Sequence, residues 1–180
     1  MRNTVISVLI PLLAIGVYLG GRYFYFKPKY IGGQQAPNFE ASILSGEKMQ
    51  LEDLKGTFVL LDFWGSWCGP CRAESGRLVS FYEQFHEAEF KNAVGLEIVS
   101  VGVEKNENAW KKAIETDRLN WRYHILDQAT SLRFFDSPIS DLYGVNQVPA
   151  KFLINPEGAI MGVDLSFDQM ERMLKKYLKE

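Results

Sequence analysis

The chain holds two cysteines, and both lie in the run Trp67-Cys68-Gly69-Pro70-Cys71. Immediately before them, Thr57 to Trp64 reads T-F-V-L-L-D-F-W, the nearly continuous apolar run expected of a strand buried on both faces. Immediately after them, Arg72 to Phe90 carries long side chains and apolar residues at helical spacing, with Gly76 its one glycine. The dithiol is therefore expected at a strand-to-helix junction, with Cys68 near the first turn. A buried strand feeding a helix in this way constrains the chain to an α/β architecture.

The junction has a chemical consequence. The first turn of a helix offers unpaired backbone N–H groups and the positive end of the macrodipole, and both favour a thiolate over a thiol. The thiolate is the reactive species, so a lowered proton affinity at Cys68 raises its reactivity near neutral pH. Pro70 suits an early helical position, where its missing N–H is not needed. Cys71, one turn further in, is expected to be the more buried of the two. Cys68 then attacks a partner disulfide and Cys71 resolves the mixed disulfide.

Two other uses of a close cysteine pair fit less well. A closed structural zinc site takes four ligands, and the histidines, His86 and His124, are isolated with no second C-x-x-C to complete a set. A purely structural disulfide this short closes a tiny loop and adds little stability. Redox chemistry accounts for the spacing better than either.

The motif D-F-W-x-x-W-C-G-P-C after a hydrophobic strand resembles thioredoxin. The Ala36-Pro37-Asn38-Phe39 entry, the Arg72-Ala73-Glu74 continuation and the later V-P-A-K-F-L-I-N-P-E-G stretch resemble the membrane-anchored, extracytoplasmic TlpA/ResA-like branch of that superfamily. The resemblance covers roughly residues 34–180. It implies a thioredoxin-like fold, a thiol-disulfide oxidoreductase activity with a Cys68–Cys71 redox disulfide, and no cofactor or metal.

Composition fits one domain with a small extra segment: 180 residues, 47% hydrophobic, net charge −2. There is no basic run to suggest a nucleic-acid partner, no low-complexity tract and no internal repeat. The N-terminus stands apart. No charged residue occurs from Thr4 to Gly21, a length that as a helix spans about 27 Å, close to the roughly 30 Å hydrocarbon core. Arg22, Lys27 and Lys29 follow, interleaved with Tyr23, Phe24, Tyr25 and Phe26, a mix suited to a membrane interface. Pro11 is tolerable within a membrane helix. A cleaved signal peptide would have a shorter apolar stretch and a small-x-small site, and no A-x-A pattern precedes the folded part. An uncleaved transmembrane anchor over residues 1–28 is expected, then a linker over 29–35 and a thioredoxin-like domain over 36–180. Counted literally, the flanking positive charges would place the domain in the cytoplasm; the family resemblance implies the outer face instead.

Within the domain, Asn38 to Leu44 and Glu47 to Leu51 flank a Ser45-Gly46 turn, which predicts a β-hairpin extension. Leu51 to Gly56 reads as one helical turn closed by glycine. The strand at Thr57 to Trp64, a helix from Gly69 to about Phe90 and a strand at Leu96 to Val103 form a right-handed crossover unit. A helix over Asn106 to Thr116, a strand over Tyr123 to Leu126 and a helical turn over Ser140 to Tyr143 follow. Lys151 to Asn155 and Ala159 to Asp164 form a hairpin about Pro156-Glu157-Gly158, and Phe167 to Leu178 closes the chain as a helix. The order predicts a mixed sheet with helices on both faces.

A second layer of candidate residues surrounds the cysteines. Asp62 shares a strand face with Leu60 and Trp64. A carboxylate there is costly if ionised, so burial should raise its proton affinity. Such an acid can take a proton from the resolving cysteine and return it. The matching acid of thioredoxin has that role, whereas ResA-like proteins often carry a neutral residue at this point. The alternative is a strand-end acid bonded to solvent. Glu74, three residues past Cys71, matches an acid that tunes the dithiol in the ResA-like branch; a solvated first-turn glutamate is the alternative. Both acids are expected to titrate together with the thiols.

Val148-Pro149 precedes an apolar strand. The resemblance implies a cis peptide opposite the dithiol that exposes the Val148 backbone to an extended substrate, with a plain turn proline as the alternative. Ala150 stands where many relatives carry threonine. Trp64 and Trp67 are expected to pack around the pair and offer an apolar docking surface, a core role alone being the alternative for Trp64. Trp67, Gly69, Pro70, Val148 and Pro149 are thus the candidate substrate-binding residues.

The expected function is reduction of disulfides in exported proteins, of the cytochrome c maturation type, with an upstream membrane dithiol donor restoring the pair. Three classes stay open: an oxidase or isomerase at a less reducing potential, a thiol peroxidase, and a copper-binding module using His124.

Overall fold

The computed structural model describes residues 2–26, 29–133 and 135–179, and the side chains of these apart from 2–9 and 23–26. The first element is α1, Arg2–Phe26, with Pro11 inside it. Among the described residues no helix is long and apolar enough to cross a membrane. The described side chains of α1, residues 10–22, are fewer than the roughly 20 that a crossing takes. Of the expected interfacial cluster, Lys27 and the side chains of Tyr23 to Phe26 lie outside what is described, as does the side chain of Arg2.

A hairpin follows, β1 (Glu40–Ser42) against β2 (Lys48–Gln50), with a 3-10 turn at Leu51–Leu54. Five strands then build the main sheet: β3 (Phe58–Trp64), β4 (Leu96–Glu104), β5 (Tyr123–Gln128), β6 (Ala150–Ile154) and β7 (Ile160–Val163), in the order β5-β4-β3-β6-β7. β3 pairs parallel with β4 and antiparallel with β6. The sheet is therefore mixed, and β3 is its centre, buried at every position.

Alternation along β3 sorts the core into two layers. Val59, Leu61 and Phe63 point to a layer completed by Ile43, Met49 and Leu54 from the hairpin side and by Ile139 and Tyr143 from α4 (Pro138–Tyr143). Phe58, Leu60 and Trp64 point to the other layer. It is filled by Leu78, Phe81 and Phe85 of α2 (Gly69–Phe85), Trp110 and Ile114 of α3 (Glu107–Thr116), and Met170 and Leu174 of α5 (Phe167–Lys175). Both cysteines belong to this second layer.

Helix ends follow local chemistry. Asn106 Oδ1 accepts the Ala109 N–H at the start of α3, Ser166 and Gln169 form a capping box on α5, and Gly144, at φ 68°, ends α4. The α2 helix stops at Phe85, short of the expected Phe90. The chain turns at His86 so that the Phe90 ring packs 4.8 Å from that of Phe58 and bridges to Leu178. Burial of that ring outweighs continuation of the helix. The segment expected as a linker lies against the domain: Gly33 N–H donates to the Ile160 carbonyl and Ile160 N–H to Gln34, both at 2.8 Å.

Candidate active site

The site forms where β3 runs into α2. Cys68 is the N-cap of α2, Pro70 occupies its first turn, and Cys71 N–H donates to Cys68 Sγ at 3.2 Å. A sulfur at that position meets both the free N–H groups and the positive end of the helix. The two cysteines form a disulfide with Cα atoms 5.3 Å apart. Contrary to the expected gradient of burial, Cys68 and Cys71 are 4% and 5% exposed. The N-cap sulfur is buried too, in the apolar layer that also takes in Trp64 and Val148.

The loop before Cys68 is held from β4. Trp67 Nε1 donates to the Val103 carbonyl at 2.9 Å, and Ser66 N–H donates to the carboxylate of Glu104, itself buried. Trp67 is 43% exposed and Trp64 only 3%. Of the two, Trp67 is open to solvent, while Trp64 is core. The Val148-Pro149 peptide is cis.

Asp62 points into the dithiol layer, as the alternation with Leu60 and Trp64 requires. It is buried, and burial pushes its carboxyl up to about 7, opposed by the Lys151 ammonium and reinforced by the Glu74 carboxylate. Its Cα partners are Ser100 on β4 and Lys151 on β6, and Ser100 is in turn paired with His124 on β5. A polar row thus crosses an otherwise apolar face of the sheet. Trp121 Nε1 donates to Ser100 Oγ at 3.1 Å. His124 engages the Leu119 carbonyl through Nε2 at 3.0 Å, and burial holds its imidazole down to about 4.

Glu74 is brought to Lys151, whose Nζ donates to Glu74 Oε1. Arg72 forks onto Asp117 through Nε and Nη2, and Asp117 also accepts from Ser75 Oγ at 3.3 Å. This ties the first turns of α2 to the end of α3.

Motif spacing points to neither Lys151 nor Glu104. A signal for Lys151 is nonetheless present: a lysine inside A-K-F-L-I mirrors the lone acid of F-V-L-L-D-F-W. Glu104 ends an apolar strand, and nothing in its neighbours shows that it reaches the loop before the dithiol.

Residues 32–163 match the model of the AhpC/TSA family. The thiol-disulfide oxidoreductase ResA of Bacillus subtilis is 32% identical over 178 residues, covering 99% of this chain and 90% of that protein. The ResA protein of Halalkalibacterium halodurans is 26% identical over 179 residues, covering 99% and 92%. Among solved structures, the thioredoxin domain of a Bacteroides vulgatus thiol-disulfide oxidoreductase superposes with a TM-score of 0.69 at 30% identity, covering 84% of this chain and 100% of that one. A Bacteroides thiol:disulfide interchange protein gives 0.67 at 31% identity, covering 82% and 90%. With its cysteine pair at the head of a helix on a thioredoxin-like sheet, the chain belongs to the AhpC/TSA family and is a homologue of the ResA thiol-disulfide oxidoreductases.

Proposed function

We propose that this thiol-disulfide oxidoreductase acts as a reductant of disulfides in exported proteins, including those handled in cytochrome c maturation. In the reduced enzyme, Cys68 thiolate attacks one sulfur of the substrate disulfide and the other leaves as a thiolate. Cys71 then passes its proton to the Asp62 carboxylate and attacks Cys68 Sγ. The Cys68–Cys71 bond forms, the second substrate sulfur leaves, and it is protonated from Asp62 or solvent. Two electrons pass to the substrate. An upstream dithiol returns them and is itself oxidised to a disulfide. The Gly-Pro pair between the cysteines matches thioredoxin, a reducing member of the superfamily.

The observation that carries this reading is the Cys71 N–H on Cys68 Sγ at the N-cap of α2, in the same layer as buried Asp62. Trp67, Gly69, Pro70 and the backbone of Val148 receive the substrate as an extended segment. The domain is anchored by α1 and works on the outer face of the membrane. Supporting this, α1 carries no charge from Thr4 to Gly21, and Ile10, Leu13 and Val17 stand 63%, 72% and 70% exposed along it, an apolar surface suited to lipid.

The test is a Cys71→Ser chain expressed in a bacterial host. It should accumulate dithiothreitol-sensitive mixed disulfides with exported proteins in the membrane fraction, and Cys68→Ser should not. Equal trapping by both variants, or adducts confined to cytoplasmic proteins, would count against the proposal.

A further inference from the structure

We propose that Lys151 is a positioning residue for the exchange reaction: gripped by Glu74, its ammonium sets how readily the acid across the strand pair takes and returns the Cys71 proton. This rests on the reading of Asp62 as the proton acceptor.

Lys151 is held at every point. Its backbone N–H donates to Asp164 Oδ1 at 2.9 Å, and its carbonyl accepts the Asp164 N–H at 2.8 Å. Its side chain is 9% exposed. The alternation of Phe152 and Ile154 into one layer and Leu153 into the other sends Lys151 to the dithiol layer with Asp62. There the ammonium meets Glu74 from α2 and lies 5.6 Å from the centre of the Phe167 ring at the start of α5. Directly opposite residues on one face of an antiparallel pair have Cβ atoms about 5 Å apart, and Asp62 is the partner of Lys151 in that register.

Toward Asp62, β4 presents Ser100, β6 presents Lys151 and α2 presents Glu74, with Cys68 and Cys71 in the same layer. With Asp62 protonated, the Lys151–Glu74 pair is neutral. With Asp62 ionised, two carboxylates share one ammonium in a buried layer. Removal of the lysine therefore leaves two anions and keeps the proton on Asp62. Removal of the Glu74 charge leaves a matched pair and lets the proton go. The influences on the Asp62 carboxyl run the same way, Lys151 lowering and Glu74 raising its proton affinity. A merely structural ion pair would weaken the fold in both variants without driving them apart in opposite directions.

The experiment follows the Asp62 carboxyl carbon by NMR from pH 5 to pH 9 in the full oxidised chain, with Asp62→Asn to assign the signal. Lys151→Met should move the midpoint up by about one pH unit or more, Glu74→Gln should move it down, and Lys151→Arg should stay near wild type. Midpoints that stay put, or that move in the same direction, overturn the proposal. Should Lys151→Met fail to fold, Glu74→Gln decides alone by the direction of its movement. In parallel, release of thiol from a mixed disulfide with a model peptide is timed across the same pH range. An Asp62→Asn chain with the wild-type pH profile would remove the reading of Asp62 as acceptor. Opposed NMR shifts that the release profiles of Lys151→Met and Glu74→Gln do not follow would instead sink the role of Lys151 in exchange, with Asp62 left standing.

Discussion

Asp62 and Lys151 are Cα partners in the antiparallel pair of β3 and β6, and both turn toward the layer that holds the dithiol. An acid and a base far apart in the chain thereby become neighbours in the layer that also holds the cysteines. The geometry of that layer and its approaches makes four further outcomes testable.

Asp62 should cost the protein stability at neutral pH. Its proton affinity rises from an ordinary 3.8 to about 7 in the folded chain. Between those values the folded state binds more protons than the unfolded state, so stability falls as pH rises through that window and has no contribution from Asp62 below it. Asp62→Asn should be the more stable chain at pH 8 by on the order of 3 kcal/mol, with little difference at pH 4. Urea unfolding of the oxidised protein at the two pH values measures this. A gap that does not widen with pH would contradict it.

Cys68 in the reduced protein should alkylate several-fold faster than a free cysteine at neutral pH, because the Cys71 N–H and the start of α2 both face its sulfur. Iodoacetamide labelling followed by peptide mass analysis separates Cys68 from Cys71. Equal, slow labelling of both would show that the helix start confers no advantage.

Glu104 holds the approach to the dithiol by accepting the Ser66 N–H. Glu104→Ala removes that acceptor and should cost about 1–3 kcal/mol of stability, with faster hydrogen exchange at the Ser66 and Trp67 amides. Unchanged protection at both amides would mean that the loop is held by Trp67 Nε1 on Val103 alone.

Gly102 lies under Trp110. A methyl group there would stand 2.6 Å from Trp110 Cδ1, so the buried ring would have to move. Gly102→Ala should destabilise by about 1–3 kcal/mol and change the near-ultraviolet circular dichroism. A chain with wild-type stability and spectrum would show that α3 shifts freely over β4.

Much of the fold is legible in the chain because its elements carry their own local reasons. F-V-L-L-D-F-W can bury both faces only as a central strand, Pro70 suits the first turn of a helix, and Pro156-Glu157-Gly158 makes a hairpin turn. The cysteine pair is legible for the same reason: its spacing and its junction are local. The end of α2 is not, since Phe90 leaves the helix only because Phe58 and Leu178 are there to receive it. The relative burial of the cysteines depends likewise on the apolar layer that the fold assembles around them.

By itself, the sequence determined the α/β class, the strand-to-helix seat of Cys68 and Cys71, and the burial of Asp62. Each follows from residues within a few positions of one another. Tertiary structure alone decided which charges surround that acid and what holds the loop before the dithiol. Strand register put Lys151 opposite Asp62, helix packing turned Glu74 onto Lys151, and Glu104 came to Ser66 from the far end of β4. The balance of those charges decides where a proton rests, and no local pattern encodes it. Electrostatic energy in a buried layer depends on separations across the sheet, and register and packing set those separations.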